Sequence, residues 1–328
     1  MIITKDKSTL IKGIVIIMMI FLHLFNGNHT DLCANLLYIG DIPFSKWLSK
    51  ACGPVGFFLL LSGYGLAYTF FKKGISFIQQ AKRIFKLYVH YWLVLFILFI
   101  FISIGSCLIP DRYPGGFLNI VLNACGWESS YDAPMWFLFP YCLVSLASSI
   151  IIRTIERIGN SCALLLTGVI YCIVCYMISR YGALYLFNNM LIYHPILFLQ
   201  FLYPFTLGVV FYRLGSSKWS MPSWQALVSI LVLVSLVASF GNSIVYMVYV
   251  PLLVFLLCQL SFPRWLEQML MELGRKSMPM WMVHYLFQPY VYSLRYPILI
   301  LGGAILISYL TAIPIMWCAK MILKTIKS

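Results

Sequence analysis

In the stretch KGIVIIMMIFLHLFN, Lys12 to Asn26, one cation and one imidazole interrupt an otherwise apolar run. At the centre of a membrane helix such groups cost on the order of 2.5–3.5 kcal/mol on insertion scales, so an ionisable residue there is read first as a functional group. Lys12 and His23 are eleven positions apart. On an α-helix that is roughly 16 Å of rise and about 20° past three full turns, so both side chains leave the same face. An imidazole surrounded by apolar groups is an uncharged base at neutral pH. It can take the proton of an attacking hydroxyl or itself accept an acyl group, and the spacing leaves both roles open. A cation low on a wall and a neutral imidazole high on it suit a donor with an anionic head and a long arm ending in a reactive group. Acyl-coenzyme A has that shape, and the expectation is one slot, lined by both residues, holding an extended thioester.

The elements that must position this pair are membrane helices. The 328 residues are 62% hydrophobic and only 10% charged, with a mean hydropathy of +0.91, far from a soluble domain. Apolar runs of spanning length predict an all-α polytopic protein of ten helices, at about 10–26, 53–71, 85–108, 135–152, 162–179, 194–212, 224–240, 243–260, 278–293 and 298–319. The basic start of the chain resembles a signal peptide, but no small-residue cleavage site follows it, and it is expected to stay as the first helix. No soluble segment separates from the rest, so residues 1–328 read as a single integral membrane domain.

The net charge of +14 would suit nucleic acid, but its distribution points elsewhere. With both termini in the cytoplasm, 18 of the 23 Lys and Arg residues fall on the inner face and five on the outer, the pattern of membrane topology rather than of a nucleic-acid surface. All nine acidic residues lie outside the spans. Glu128, Asp132 and Trp136 bracket the outer start of the fourth span, where carboxylates and an aromatic face are suited to a sugar. His284 lies within the ninth span, able to meet His23 or the donor arm, and His90 and His194 lie nearer the two interfaces. Cys172 and Cys175 sit inside a span with no His or carboxylate cluster beside them, so neither a metal nor a permanently bound cofactor is expected. Cys33, Cys52, Cys107 and Cys125 fall on or near the outer face, where a disulfide is possible.

At these residues the chain resembles the acyltransferase-3 family of integral membrane acyltransferases. Lys12-x10-His23 is similar to that family's Arg-x10-His, with lysine for arginine. GPVGFFLLLSGYGLAY resembles its second helix, and Arg83-x-x-Lys86, in QQAKRIFKLYVHYW, its Arg-x-x-Arg. PMWFLFPYCLVSL and LGRKSMPMWMVHYLF resemble two later helices. Two features depart from the pattern. Lysine at positions 12 and 86 lacks the bidentate fork of arginine, and Phe139-Pro140 stands where many members have a glutamate. The resemblance implies a catalytic His23 with Lys12, Arg83 and Lys86 facing acyl-CoA, and it is nearest the branch that acetylates sugars of surface polysaccharides.

Taken together, the expectation is a membrane O-acyltransferase, in a bacterial cytoplasmic membrane, moving an acetyl group from acetyl-CoA as co-substrate to a hydroxyl of a surface or lipid-linked glycan. Membrane lipids and the glycan are the expected partners, with no nucleic acid. The alternative is a carrier or flippase for a lipid-linked saccharide or small anion, with His23 and His284 lining the path. Lack of an intramembrane carboxylate and of matching broken helices counts against it.

Overall fold

The computed structural model describes residues 3–27, 32–104, 115–215 and 220–326. Asp31, Cys107, Asp111, Arg112, Lys218 and Lys327 lie outside these ranges. The first helix, α1 (Lys5–Phe25), starts where the Thr4 hydroxyl accepts from the Lys7 amide at 3.2 Å, with Asp6 in the first turn complementing the positive end of the helix dipole. A two-residue hairpin follows, β1 (Tyr38–Ile39) with β2 (Ile42–Pro43), turning at Gly40 with φ 58°. A short helix, α2 (Phe44–Ser49), leads into α3 (Pro54–Lys73), which has proline at its first position and ends on Gly74 at φ 72°. The chain continues through α4 (Phe77–Ile104), α5 (Phe117–Ala124), α6 (Leu138–Ile158), α7 (Asn160–Tyr181), α8 (Met190–Leu214) and α9 (Ser223–Phe240). Last come α10 (Tyr246–Gln259), α11 (Arg264–Val283), α12 (Gln288–Val291) and α13 (Pro297–Thr325).

The protein is an all-α polytopic membrane protein. Among the described residues eight helices are long and apolar enough to cross a bilayer. Large apolar side chains of α7 and α9, such as Leu165, Val169, Ile173, Leu227 and Leu231, are exposed on the outside of the bundle, where lipid is the solvent they suit. All ten expected spans correspond to helices, but two differ from expectation. The eighth, α10, has 14 residues, about 21 Å of rise against a hydrocarbon core of about 30 Å.

The ninth is displaced. In place of one helix over 278–293, α11 begins on the Lys/Arg-rich side at Arg264, runs to Val283, and gives way to a 3-10 turn, His284–Phe287, and the four-residue α12. Pro279 has no amide to donate to the carbonyl four residues earlier, and Pro289 sits at the start of the next short helix, so α-helical bonding cannot run continuously through this region. His284 therefore stands at a break rather than within a helix.

Two close helix contacts set the frame. A Cβ on Gly13 would collide with the backbone carbonyl of Leu270, and one on Gly274 with that of Thr9, so α1 and α11 touch backbone to backbone. Gly63 meets the carbonyl of Phe205, and Gly208 that of Leu60, bringing α3 against α8 in the same way. Without a hydrophobic drive between helices in lipid, this close packing supplies the attraction. At Gly302, by contrast, nothing lies within 4 Å of a Cβ. Gly274→Val should thus lower stability by about 1–3 kcal/mol or more, read as a drop in melting temperature of the detergent-solubilised protein, while Gly302→Ala leaves it unchanged.

Candidate active site

The carboxyl-terminal end of α1 leaves backbone carbonyls without helical partners, and the segment after α11 supplies them. Gln288 Nε2 donates to the His23 carbonyl at 2.6 Å, and the Tyr292 hydroxyl donates to the Leu24 carbonyl at 2.7 Å. Gln288 Nε2 also reaches the Tyr292 hydroxyl at 2.9 Å, tying the two clamps together. So held, the His23 ring stacks on that of His284, centroids 4.8 Å apart and planes 19° apart, with His23 Nδ1 2.6 Å from His284 Nε2.

The proton positions of this pair follow from their partners. His284 Nδ1 is 2.7 Å from the Trp281 carbonyl, which only accepts, so Nδ1 carries the hydrogen. With both rings neutral, His284 Nε2 is then an acceptor and His23 Nδ1 must donate to it. His23 Nε2 is left with a free lone pair. The tautomer that a base or nucleophile needs is thus fixed by a chain running from His23 through His284 to a backbone carbonyl.

Below the pair lies a cavity of about 640 Å³. Four cations line it: Lys12 of α1, Arg83 and Lys86 of α4, and Arg275 of α11. Arg83 is close enough to Lys12 for the two charges to repel, and among the described residues neither has an acidic partner. Arg275 is paired with Glu272 at 2.8 Å. Arg83 donates to the Tyr141 hydroxyl at 3.4 Å, and that hydroxyl lies 3.2 Å from Ser62 Oγ. His90 also lines the cavity and donates from Nδ1 to the Lys86 carbonyl at 2.7 Å, leaving its Nε2 as an acceptor. Four cations, of which Lys12 and Arg83 have no acidic partner among the described residues, around a mixed polar and apolar cavity make a site for an anion with an apolar extension.

The acyltransferase-3 family model, which describes an acyltransferase domain, matches residues 7–321. The chain belongs to the acyltransferase-3 family. It is therefore a membrane acyltransferase. No curated protein and no solved structure gives a significant match.

In this acyltransferase-3 protein the structure brings Lys12, Arg83 and Lys86 to one cavity and His23 and His284 to one pair. It does not put all five in a single slot. The cavity lining follows the α1 face from Lys12 as far as Met19, one turn short of His23, and includes Phe137 and Trp281, whose rings meet edge to face at 5.4 Å.

The residues expected to serve the acceptor do not form one surface. Glu128 is half-buried, Trp136 packs against Phe137 and Phe201, and the Asp132 carboxyl is buried with neither oxygen hydrogen-bonded. None of the three lines the cavity. His194 donates from Nε2 to the Trp127 carbonyl at 2.8 Å. Cys172 contacts the Met247 sulfur, and Cys52 and Cys125 are free thiols. Sequence reasoning missed Arg275, His90 and Tyr141. Arg275 lies within the LGRKSMPMWMVHYLF stretch, next to the glycine at which α11 meets α1, and that adjacency was the available signal.

Burial without a partner pushes the Asp132 carboxyl well above the usual carboxylate range. A folded value above the unfolded one means that the group's contribution is fully present below about pH 4 and is lost as pH rises through the folded value. Asp132→Asn, neutral at every pH, should raise the melting temperature near neutral pH and flatten its decline as pH rises. A scan of melting temperature against pH for both proteins checks this.

Proposed function

We propose that the protein is an O-acyltransferase that takes an acetyl group from cytosolic acetyl-CoA and delivers it to a hydroxyl of a surface or lipid-linked glycan at the cytoplasmic membrane of a bacterium. The observation that carries this reading is the pairing of a cationic cavity with a histidine, one turn above it, whose Nε2 lone pair is left free. The donor's phosphates lie between Lys12, Arg83, Lys86 and Arg275, and its pantetheine arm runs up the α1 face. The rise of about 16 Å from Lys12 to His23 is of the length an extended arm needs. To reach the imidazole the thioester passes Phe137 and Trp281, so those rings turn aside when donor binds.

In the transfer step His23 Nε2 takes the proton of the acceptor hydroxyl as its oxygen attacks the thioester carbonyl. The new ester C–O bond forms, the C–S bond breaks, and the coenzyme leaves as thiolate, which recovers the proton from the imidazolium. During the step His23 Nδ1–H donates more strongly to His284, and His284 in turn holds the Trp281 carbonyl. His284 is a positioning residue in this scheme, and Glu128 and Trp136 remain the candidates for guiding the acceptor.

The test is purified protein in lipid with labelled acetyl-CoA and membrane glycan as acceptor. His23→Ala should lower kcat by about 10²–10⁴-fold, and Lys12→Gln should raise KM for the donor. A carrier would move substrate in vesicles without releasing CoA. Glutamine offers one acceptor and one donor in a single amide. His284→Gln should accordingly retain much of the rate that His284→Leu loses, with the donor KM unchanged in both.

A further inference from the structure

A second chamber of about 1140 Å³ opens beside the first on the Lys/Arg-rich side. The two share Ser8, Lys12, Leu61 and Gly65, so they are continuous, with Lys12 at the junction. The second chamber has a different lining. Its cations besides Lys12 are Lys5, Lys72 and Arg213, and its walls carry an aromatic cluster from the ends of α3 and α8. Tyr212 stacks on Phe71 with centroids 5.5 Å apart and planes 14° apart, Tyr68 meets Tyr212 edge-on at 6.1 Å, and Lys72 Nζ lies 4.8 Å over the Tyr68 ring.

This combination matches a phosphorylated nucleoside. Flat π-faces accept a purine ring by stacking, typically with about 1–3 kcal/mol per base. Adjacent ammonium and guanidinium groups hold a phosphate by charge-assisted hydrogen bonds. Arg213 spends Nη1 on the Ile155 carbonyl at 3.0 Å, which fixes the guanidinium and leaves its remaining donors for a ligand. Glu156 is the chamber's one acid, and among the described residues it forms no ion pair with Arg213. A carboxylate there would oppose a phosphate placed against it but can accept from an exocyclic amine of the base.

We propose that the second chamber is the subsite for the 3′-phosphoadenosine end of the donor, with the base on the Tyr68–Tyr212 cluster and the 3′-phosphate between Lys72 and Arg213. The inference rests on the acyl-CoA reading of the first chamber. It places the pyrophosphate at the Lys12 junction, so one extended molecule occupies both chambers and only its acyl end approaches His23. The chamber thereby selects coenzyme A thioesters over shorter pantetheine thioesters of the same acyl group.

The experiment compares acetyl-CoA with 3′-dephospho-acetyl-CoA as donors for the full-length protein in nanodiscs of zwitterionic lipid. The wild type should prefer acetyl-CoA by at least about tenfold in kcat/KM, through KM, the size expected of charge-assisted contacts to one phosphate. Lys72→Gln with Arg213→Gln should lose that preference by weakening on the phosphorylated donor alone. Lys72→Gln, at an exposed helix end, should lose part of it, which guards against misfolding at Arg213. Tyr212→Leu should raise KM for both donors alike. Equal use of both donors by the wild type overturns the subsite while leaving the acyl-CoA reading intact. Consumption of neither donor overturns the acyl-CoA reading itself. A preference that survives the double substitution places the phosphate elsewhere. A preference erased by adding anionic lipid shows a headgroup site in its place.

Discussion

The backbone contact between α1 and α11 is the constraint on which the rest of the site depends. Because Gly13 and Gly274 have no side chains, the two helices meet where their charged residues enter the membrane. That contact puts Lys12 and Arg275 on the rim of one cavity and sends α11 up alongside α1. Where α11 ends, its continuation turns back over the end of α1 and delivers His284, Gln288 and Tyr292 to His23 and Leu24. Any side chain larger than hydrogen at the crossing would push these groups apart together. Cation cluster and histidine pair are thus two ends of one packed unit.

The same unit explains how like charges are tolerated together. Lys12 and Arg83 repel, and no acid offsets them among the described residues, so the empty cavity is electrostatically unfavourable. On the proposed reading, the donor's phosphates relieve that repulsion. Recognition of the anionic head and chemistry at the acyl tip then fall at opposite ends of α1, with Phe137 and Trp281 between them.

Much of this was legible in the sequence, because it rests on periodicity. The face shared by Lys12 and His23, the basic pair Arg83 and Lys86, and the long apolar helices all follow from the 3.6-residue repeat and from long apolar runs. The missing parts depend on contacts between distant segments. Pro279 and Pro289 signal a break near His284, but nothing local reveals that its Nδ1 points at the Trp281 carbonyl. Likewise Asp132 looks like an outer-surface carboxylate until packing buries it, and Arg275 looks like one more positive-inside residue until Gly274 seats it beside Lys12. The expectation of one open slot is not met by the cavity, whose lining includes Met19 and Phe137 but not His23.

The central claim is that an extended thioester runs from the Lys12 cation cluster to His23. A structure of the protein in lipid with an unreactive thioether analogue of acetyl-CoA tests it most directly. The account predicts phosphates against Lys12 and Arg83, Phe137 and Trp281 turned aside, and the acyl carbonyl carbon within about 3–3.5 Å of His23 Nε2. An acyl end that stays below Trp281, or points to the Lys/Arg-rich side with His23 still shut off, would contradict it.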